Sequence, residues 1–405
     1  MTGKNVVILS NGHGEDAIGA TIAAHLLEEA RIRLRALPIV GRGRAYRTLG
    51  IPLLMKGFDL PSGGFARNGI ANLLADLRAG LFGLTVRQID TLRRVRQDTD
   101  LAVCAGDVFL VLLAGLFLRR PVVFIPTAKS DYIAPHWRIE TTLMRRFCRA
   151  VFPRDALTAA SLVRRGIPAD YLGNVMMDCL EFSSEPLRGE NASVVGILPG
   201  SRQDAYTNLE DIAPVIPILS DLAASSDRRV SYLLALAGDL SFAQAAERLA
   251  TTGWRARAPE KGEPRGVIGH LLPPTGPPEV DVLQGRFADV LAASDVVLGL
   301  AGTANEQAAG LGKPIVTFVG RGRQHTRGFV RTQKKLLGEA VSVVERDPQV
   351  VAHELLDILG NPARQMTMGQ AGRKRMGGPG GAGRIAAAIK NMLFTADKDA
   401  RPGDQ

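Results

Sequence analysis

Short, mostly apolar runs recur along the chain at 6–9, 101–105, 122–125, 194–198, 232–237, 267–270, 296–300, 315–319 and 341–344, most of them bounded by Gly, Pro or polar residues. Stretches of helical length fill the intervals, and some carry clear helical spacing, as Ala17, Ile18, Ile22, Leu26 and Leu27 do. A strand that is apolar on both faces must be covered on both faces. The pattern therefore predicts parallel strands layered between helices, an α/β protein of doubly wound architecture.

The periodicity loosens between Tyr171 and Ser193, where Glu181 to Asn191 is polar and carries Pro, Gly and Ser, and a fresh strand begins at Val194. The expected organisation is an N-terminal Rossmann-like domain at 1–180, a linker at 181–192 and a second Rossmann-like domain at 193–380. A last helix at 381–396 follows the cluster Gly377-Gly378-Pro379-Gly380-Gly381, and 397–405 is an expected flexible tail. The Pro- and Gly-rich stretches 259–266 and 273–278 read as surface loops. The longest apolar run, 101–118, reaches spanning length, but Asp107 interrupts it and Arg119-Arg120-Pro121 leads at once into another strand, so β-α-β fits better than a membrane helix. Between 65 and 96, Leu73, Leu74, Leu77, Leu81, Phe82 and Leu84 alternate with Arg67, Arg78, Arg87, Arg93, Arg94 and Arg96. Such a stripe is either the core face of a helix or a docking face for an anionic membrane.

Composition narrows the function. At 405 residues the chain has material for two cores. It runs from Met1 into a strand with no tripartite leader, and Cys104, Cys148 and Cys179 form neither a disulfide framework nor a zinc pattern, so a cytoplasmic protein is expected. The net charge of +10 invites a polyanion: nucleic acid, an anionic membrane surface or a diphosphate. The arginines cluster at 93–96, at Arg145, Arg146 and Arg149, and at Arg321, Arg323, Arg327 and Arg331, without interleaved aromatics or a nucleic-acid-binding signature, which points away from nucleic acid.

In open parallel sheets ligands bind beyond the carboxyl ends of the strands. The first such end reads Ser10-Asn11-Gly12-His13-Gly14-Glu15-Asp16-Ala17-Ile18-Gly19. Its glycines are spaced for neither the dinucleotide fingerprint nor the P-loop, and Glu15 and Asp16 would repel a phosphate, so this loop is expected to take something other than the nucleotide. In the second half, Gly200, Ser201 and Arg202 end one strand, with a close backbone approach, a hydroxyl and a guanidinium fork for phosphate oxygens. The helix after it is expected to be capped by Asn208, with Glu210 and Asp211 in its first turn. Gly302 and Thr303 end another strand at a helix start, with Glu306 or Gln307 one turn in, placed for ribose hydroxyls. Gln284, Gly285 and Arg286 precede a helix and offer backbone groups to a flat base.

Strand-Pro199-Gly200-Ser201-Arg202, the helix end Ala292-Ala293-Ser294-Asp295, and Ala301-Gly302-Thr303-Ala304-Asn305-Glu306-Gln307 followed by Gly310-Leu311-Gly312-Lys313-Pro314 resemble lipid-A-disaccharide synthases and, more distantly, other GT-B glycosyltransferases and UDP-N-acetylglucosamine 2-epimerases. In the first half, Gly14-Glu15-Asp16-Ala17-Ile18-Gly19-Ala20, Asp107 and Leu172-Gly173-Asn174 through Asp178 match the synthase's opening loop, its aspartate segment and its hinge. The resemblance implies a GT-B-like fold of two domains facing across a cleft. It implies an inverting transfer of a hexosamine or hexose from a UDP-sugar to an acceptor of the lipid-linked kind, at the inner face of a membrane. Gly200, Ser201, Arg202, Gly302 and Thr303 would then hold the diphosphate, Gln284 to Arg286 would flank uracil, and Glu306 or Gln307 would meet the ribose. Gly12, Gly14, Glu15 and Asp16 would receive the acceptor, with Asp107 as base or base-orienter and His13 as the second candidate. Asp107 reads equally well as the N-cap of the helix at 108–118. No cofactor and no metal is expected, because Asp98-Thr99-Asp100, though it looks like a metal-binding D-x-D, precedes a strand instead of ending one. The rival readings are a UDP-sugar 2-epimerase, which would draw on histidines such as His13, His136, His270 and His325, and a non-catalytic nucleotide-sugar sensor. The basic stretch Gly320 to Arg327 stands where the synthase is more apolar.

Overall fold

The computed structural model describes residues 3–55, 81–187 and 192–395, which form two compact units. The expected features at 65–80, at linker positions 188–191 and at 397–405 lie outside the described residues.

The first unit takes the chain up to Cys179 and again from Pro379. Its sheet is parallel throughout, in the order β2-β1-β3-β4-β5: β1 is Lys4–Ser10, β2 Ile32–Pro38, β3 Leu101–Gly106, β4 Val122–Pro126 and β5 Cys148–Val151. The continuous apolar character of β1 is spent on both faces. Val6 and Ile8 pack into one core layer with Ile18, Ile22 and Leu26, and Val7 and Leu9 into the opposite layer with Leu110 and Val111. The sequence pattern missed β2, because Arg33 and Arg35 interrupt its apolar residues, and β5, because it is only four residues long. The run 101–118 is β3 followed by the helix Val108–Leu113 and a wider turn of helix to Leu118. Among the described residues no helix is long and apolar enough to cross a membrane. In the helix Leu81–Arg94, Leu84 and Leu92 are buried and Gln88 donates to the Ile39 carbonyl at 2.8 Å, so this part of the stripe is a core face.

The last helix, Gly381–Thr395, belongs to this unit. Ala382, Ile385, Ile389 and Leu393 share the core layer of the helix His13–Leu27. Asp178 caps it, accepting the Ala382 N–H at 2.7 Å and the Gly380 N–H. Gly173 crosses directly over Gly381: a Cβ on Gly173 would stand 2.8 Å from the Gly381 Cα. The Gly and Asp of the hinge-like segment are thus a backbone crossing and a cap.

The second unit, Leu180–Gly378, carries eight strands in the order β13-β12-β11-β6-β7-β10-β9-β8. Here β6 is Ser193–Leu198, β7 Val230–Leu236, β8 Arg255–Arg257, β9 Val267–Leu272, β10 Val280–Gln284, β11 Val296–Gly299, β12 Ile315–Thr317 and β13 Val341–Val343. The expectation of purely parallel sheets fails at this edge, where β9 runs antiparallel to both β10 and β8. The connections joining these strands are too short for a crossover helix, and an antiparallel pair needs none. β10 escaped the sequence pattern because its apolar residues are broken by Asp281.

Candidate active site

Each sheet has a switch point, and many but not all of the sequence-predicted residues stand at one of the two. In the first unit β1 lies between β2 and β3, so the chain leaves β1 and β3 toward opposite sides and opens a crevice above their carboxyl ends. Asn11, Gly12, His13 and Glu15 rise there from β1, and Asp107 from β3. Gly106 has φ +150°, and a Cβ on it would come within 1.9 Å of the Asn11 Oδ1, so only glycine brings these two loops together. Asp107 accepts the Phe109 N–H at 2.9 Å and caps its helix, as one of its two readings expected. Burial nevertheless raises its pKa above the ordinary carboxylate value, against the opposing pull of the Phe109 N–H and the Asn11 side chain. His13 is exposed at the first turn of its helix, and Gly14 beside it is also exposed. Glu15 is half-buried, accepting from the Thr127 hydroxyl at 3.4 Å at the end of β4. A side chain at Gly12 would strike the Glu15 carboxylate.

Asp16, expected on the acceptor, is instead sealed beneath the loop and is 2% exposed. Its Oδ1 accepts from the Ser10 hydroxyl at 2.6 Å, and the Tyr46 hydroxyl donates to the same Ser10 oxygen at 2.9 Å. Burial lifts its pKa to about 6, with the Ser10 hydrogen bond pulling the other way. A carboxyl that binds its proton more tightly folded than unfolded stabilises the fold fully at low pH and loses that contribution as pH rises through about 6. Asp16→Asn is therefore expected to gain stability relative to the parent by about 2 kcal/mol between pH 4 and pH 8, read from urea denaturation at each pH.

In the second unit β6 lies between β11 and β7, and its switch point is flanked by the loops after β6 and β11. Gly200 turns at φ +113°, and Ser201 and Arg202 follow it, exposed. The two loops are clamped together: Asn208 Nδ2 donates to the Pro199 carbonyl at 2.8 Å and to that of Leu300 at 3.5 Å. Asn208 is thus not the expected N-cap. The helix Asp204–Ile212 starts earlier, and the buried Asn208 amide reaches back across the crevice floor.

Gly302 and exposed Thr303 open the helix Thr303–Gly310. Their turn is held from below by polar side chains. Gln333 Nε2 donates to the Ala301 carbonyl at 2.9 Å, Asn305 Nδ2 donates to Gln333 Oε1 and to the Gly299 carbonyl, and the Thr317 hydroxyl donates to the same carbonyl at 2.7 Å. His325 sits under this network on Thr317, its pKa pushed down to about 4 by burial. Glu306 is half-buried and Gln307 buried on the same helix.

Gln284 and Arg286 are committed elsewhere. Gln284 Nε2 donates to the carbonyls of Ala237 and Leu240, and buried Arg286 bonds Asp289 at 2.6 Å and the carbonyls of Arg265 and Glu185. Gly285 between them is exposed, at φ +73°. A cavity of about 350 Å³ in the second unit lies beside Phe318 and Arg321, where Arg321 is paired with Asp211 at 2.7 Å. Arg321 also bonds Glu210 at 3.2 Å, so its guanidinium is committed to carboxylates.

Sequence reasoning missed a cluster behind β4. Glu140 Oε2 accepts from Lys129 Nζ at 2.8 Å, from the Trp137 N–H at 2.8 Å and from His136 Nδ1 at 3.2 Å. Burial lowers the His136 pKa. No motif spacing gathers these residues; an 11-residue loop does. His270 is buried on β9 between Asp281 and Glu263, each at 2.9 Å, far along the sheet from the β6 and β11 loops. Of the four histidines the epimerase reading names, His13 alone stands exposed at a switch point.

No family model matches the chain. It is similar to the lipid-A-disaccharide synthase of Syntrophus aciditrophicus (24% identical, covering 98% of this chain and 100% of that one) and to that of Azoarcus sp. (25% identical, covering 77% and 74%). Among solved structures it is similar to the kitacinnamycin glycotransferase (TM-score 0.61, 14% identical, 97% and 100% covered). It is also similar to the UDP-GlcNAc 2-epimerase of Neisseria meningitidis, solved with UDP-GlcNAc bound (TM-score 0.58, 16% identical, 97% and 100% covered). The fold is the two-domain α/β arrangement of GT-B glycosyltransferases and these epimerases.

Proposed function

We propose that the protein is an inverting glycosyltransferase that moves a hexosamine or hexose from a UDP-sugar to a lipid-linked acceptor at a membrane surface. The observation that carries this reading is the clamped pair of loops at the second switch point, with Gly200, Ser201, Arg202, Gly302 and Thr303 around a helix N-terminus and Glu306 one turn in. Backbone N–H groups and a guanidinium fork are the means by which a protein neutralises a leaving diphosphate. In the first unit the acceptor oxygen would attack the anomeric carbon while the bond from that carbon to the diphosphate breaks. Asp107 would take the hydroxyl proton, and its raised pKa suits that role. Peripheral contact with the membrane is part of this proposal, since its acceptor is a lipid.

Calorimetry with UDP tests the donor half: the parent is expected to bind, and Arg202→Ala to bind about tenfold to a hundredfold more weakly. Absence of UDP binding by the parent, or an Arg202→Ala variant equal to it, overturns the reading. The likeness to 2-epimerases favours a second reading, a UDP-sugar 2-epimerase. The product separates the two, since a transferase releases UDP only when acceptor is present and an epimerase returns an isomeric UDP-sugar without one.

A further inference from the structure

Between Tyr132 and Ala169 the sequence holds seven arginines and two acidic residues. Both acids are buried: Glu140 is turned in upon Lys129 and the Trp137 N–H, and Asp155 caps the helix Ala156–Arg164 through the Thr158 N–H. Arg138, Arg145, Arg146, Arg149 and Arg164 are exposed, and of the two aspartates that flank the segment Asp131 is half-buried and Asp170 exposed, so the surface is strongly basic. Two backbone contacts join its helices into one surface: Arg145 donates to the Arg165 carbonyl at 2.6 Å, and Arg165 to the His136 carbonyl at 2.7 Å. At the start of the helix Arg138–Phe147, Trp137 is 67% and Ile139 62% exposed, and Val163 across the seam is also exposed. Lys129 Nζ lies 3.9 Å from the centroid of the Trp137 ring, a cation–π contact.

We propose that this face docks on an anionic lipid bilayer, with Trp137 and Ile139 entering the headgroup layer and Arg138, Arg145 and Arg146 meeting lipid phosphates. An amphipathic ring beside an aliphatic side chain, among arginines that outnumber the nearby acids, is the chemistry of a membrane interface. A nucleic-acid face would interleave several flat rings with its arginines for base stacking, whereas here Trp137 is accompanied by the aliphatic Ile139 and Val163. None of the residues of this docking face belongs to the stripe at 65–96 named in the sequence analysis. The face gives the proposed membrane contact an address but does not rest on sugar transfer.

The protein holds two tryptophans, and Trp254 is buried in the second unit, so a change in emission on adding vesicles reports Trp137. Phosphatidylcholine vesicles containing about a third phosphatidylglycerol are expected to shift the emission to the blue and carry the protein down on sedimentation, whereas pure phosphatidylcholine does neither and salt reverses the binding. Arg138→Glu with Arg146→Glu is expected to weaken partition about tenfold to a hundredfold, with an unchanged thermal melt. Trp137→Phe should still sediment with the vesicles and lose the shift. The proposal is overturned if the anionic vesicles give no shift, if the double variant sediments like the parent, or if a single-stranded oligonucleotide perturbs Trp137 at lower concentration than vesicles do. Because no sugar nucleotide is present, each of these failures removes this docking face and leaves the sugar-transfer part of the proposed function to its own test.

Discussion

Asp107→Asn is expected to lower kcat about a thousandfold while leaving UDP affinity unchanged. Asparagine keeps an oxygen for the Phe109 N–H, so the cap survives and the loss reports the missing base. The active form of a base is the deprotonated one. For the parent, kcat/KM should therefore rise with pH up to the raised pKa of Asp107 and then level off, and that limb should vanish in the variant. Steady-state rates of UDP release between pH 4 and pH 9 measure both. A variant retaining a tenth or more of parental activity moves the role to His13, whose own replacement by alanine should then carry the large effect.

The largest stability effect is expected at a residue with no chemistry. The helix Pro362–Met376 lies against the helix Thr303–Gly310 so closely that a Cβ on Gly372 would stand 2.2 Å from the Ala309 carbonyl oxygen, and one on Gly369 would stand 2.6 Å from that of Gly312. Those neighbours are backbone and cannot swing aside as a side chain would. Gly372→Ala is therefore expected to cost about 3 kcal/mol, read as a lowered urea midpoint. Gly83→Ala makes the same chemical change at an exposed position of the helix Leu81–Arg94, where a Cβ meets nothing within 4 Å, and should gain up to about 1 kcal/mol. Because the displaced helix begins at Thr303, whatever Gly372→Ala protein remains folded should also bind UDP less tightly. Unchanged stability in Gly372→Ala would mean that the two helices stand further apart than described.

The parallel strands that line the two switch points were legible because burial on both faces leaves an unbroken apolar run, and β1, β3, β6 and β11 all carry one. Edge and near-edge strands were harder. β2 alternates with arginine and β10 with aspartate, since a strand with one wetter side does not need apolar residues at every position. The glycine loops were legible for a related reason. Positive φ at Gly200 and the approach of Asn11 to Gly106 exclude other residues, so the turns mark themselves in the sequence.

By itself the sequence determined where the strands carrying the candidate chemistry end, and so which residues stand at the two switch points: Asp107 and His13 at one, Ser201, Arg202 and Thr303 at the other. Only the tertiary structure decided what each side chain does there. Asp16 and Asp107 are both carboxylates beyond strand ends, yet one is sealed under Ser10 and Tyr46 and the other caps a helix at the crevice. Asn208 proved a clamp and Arg286 an internal tie, and the last helix returned to the first unit. A local pattern records burial and backbone freedom, which are properties of a residue and its neighbours in sequence. Hydrogen-bond partners and desolvation depend on groups brought from distant positions, and those enter only when the chain has folded.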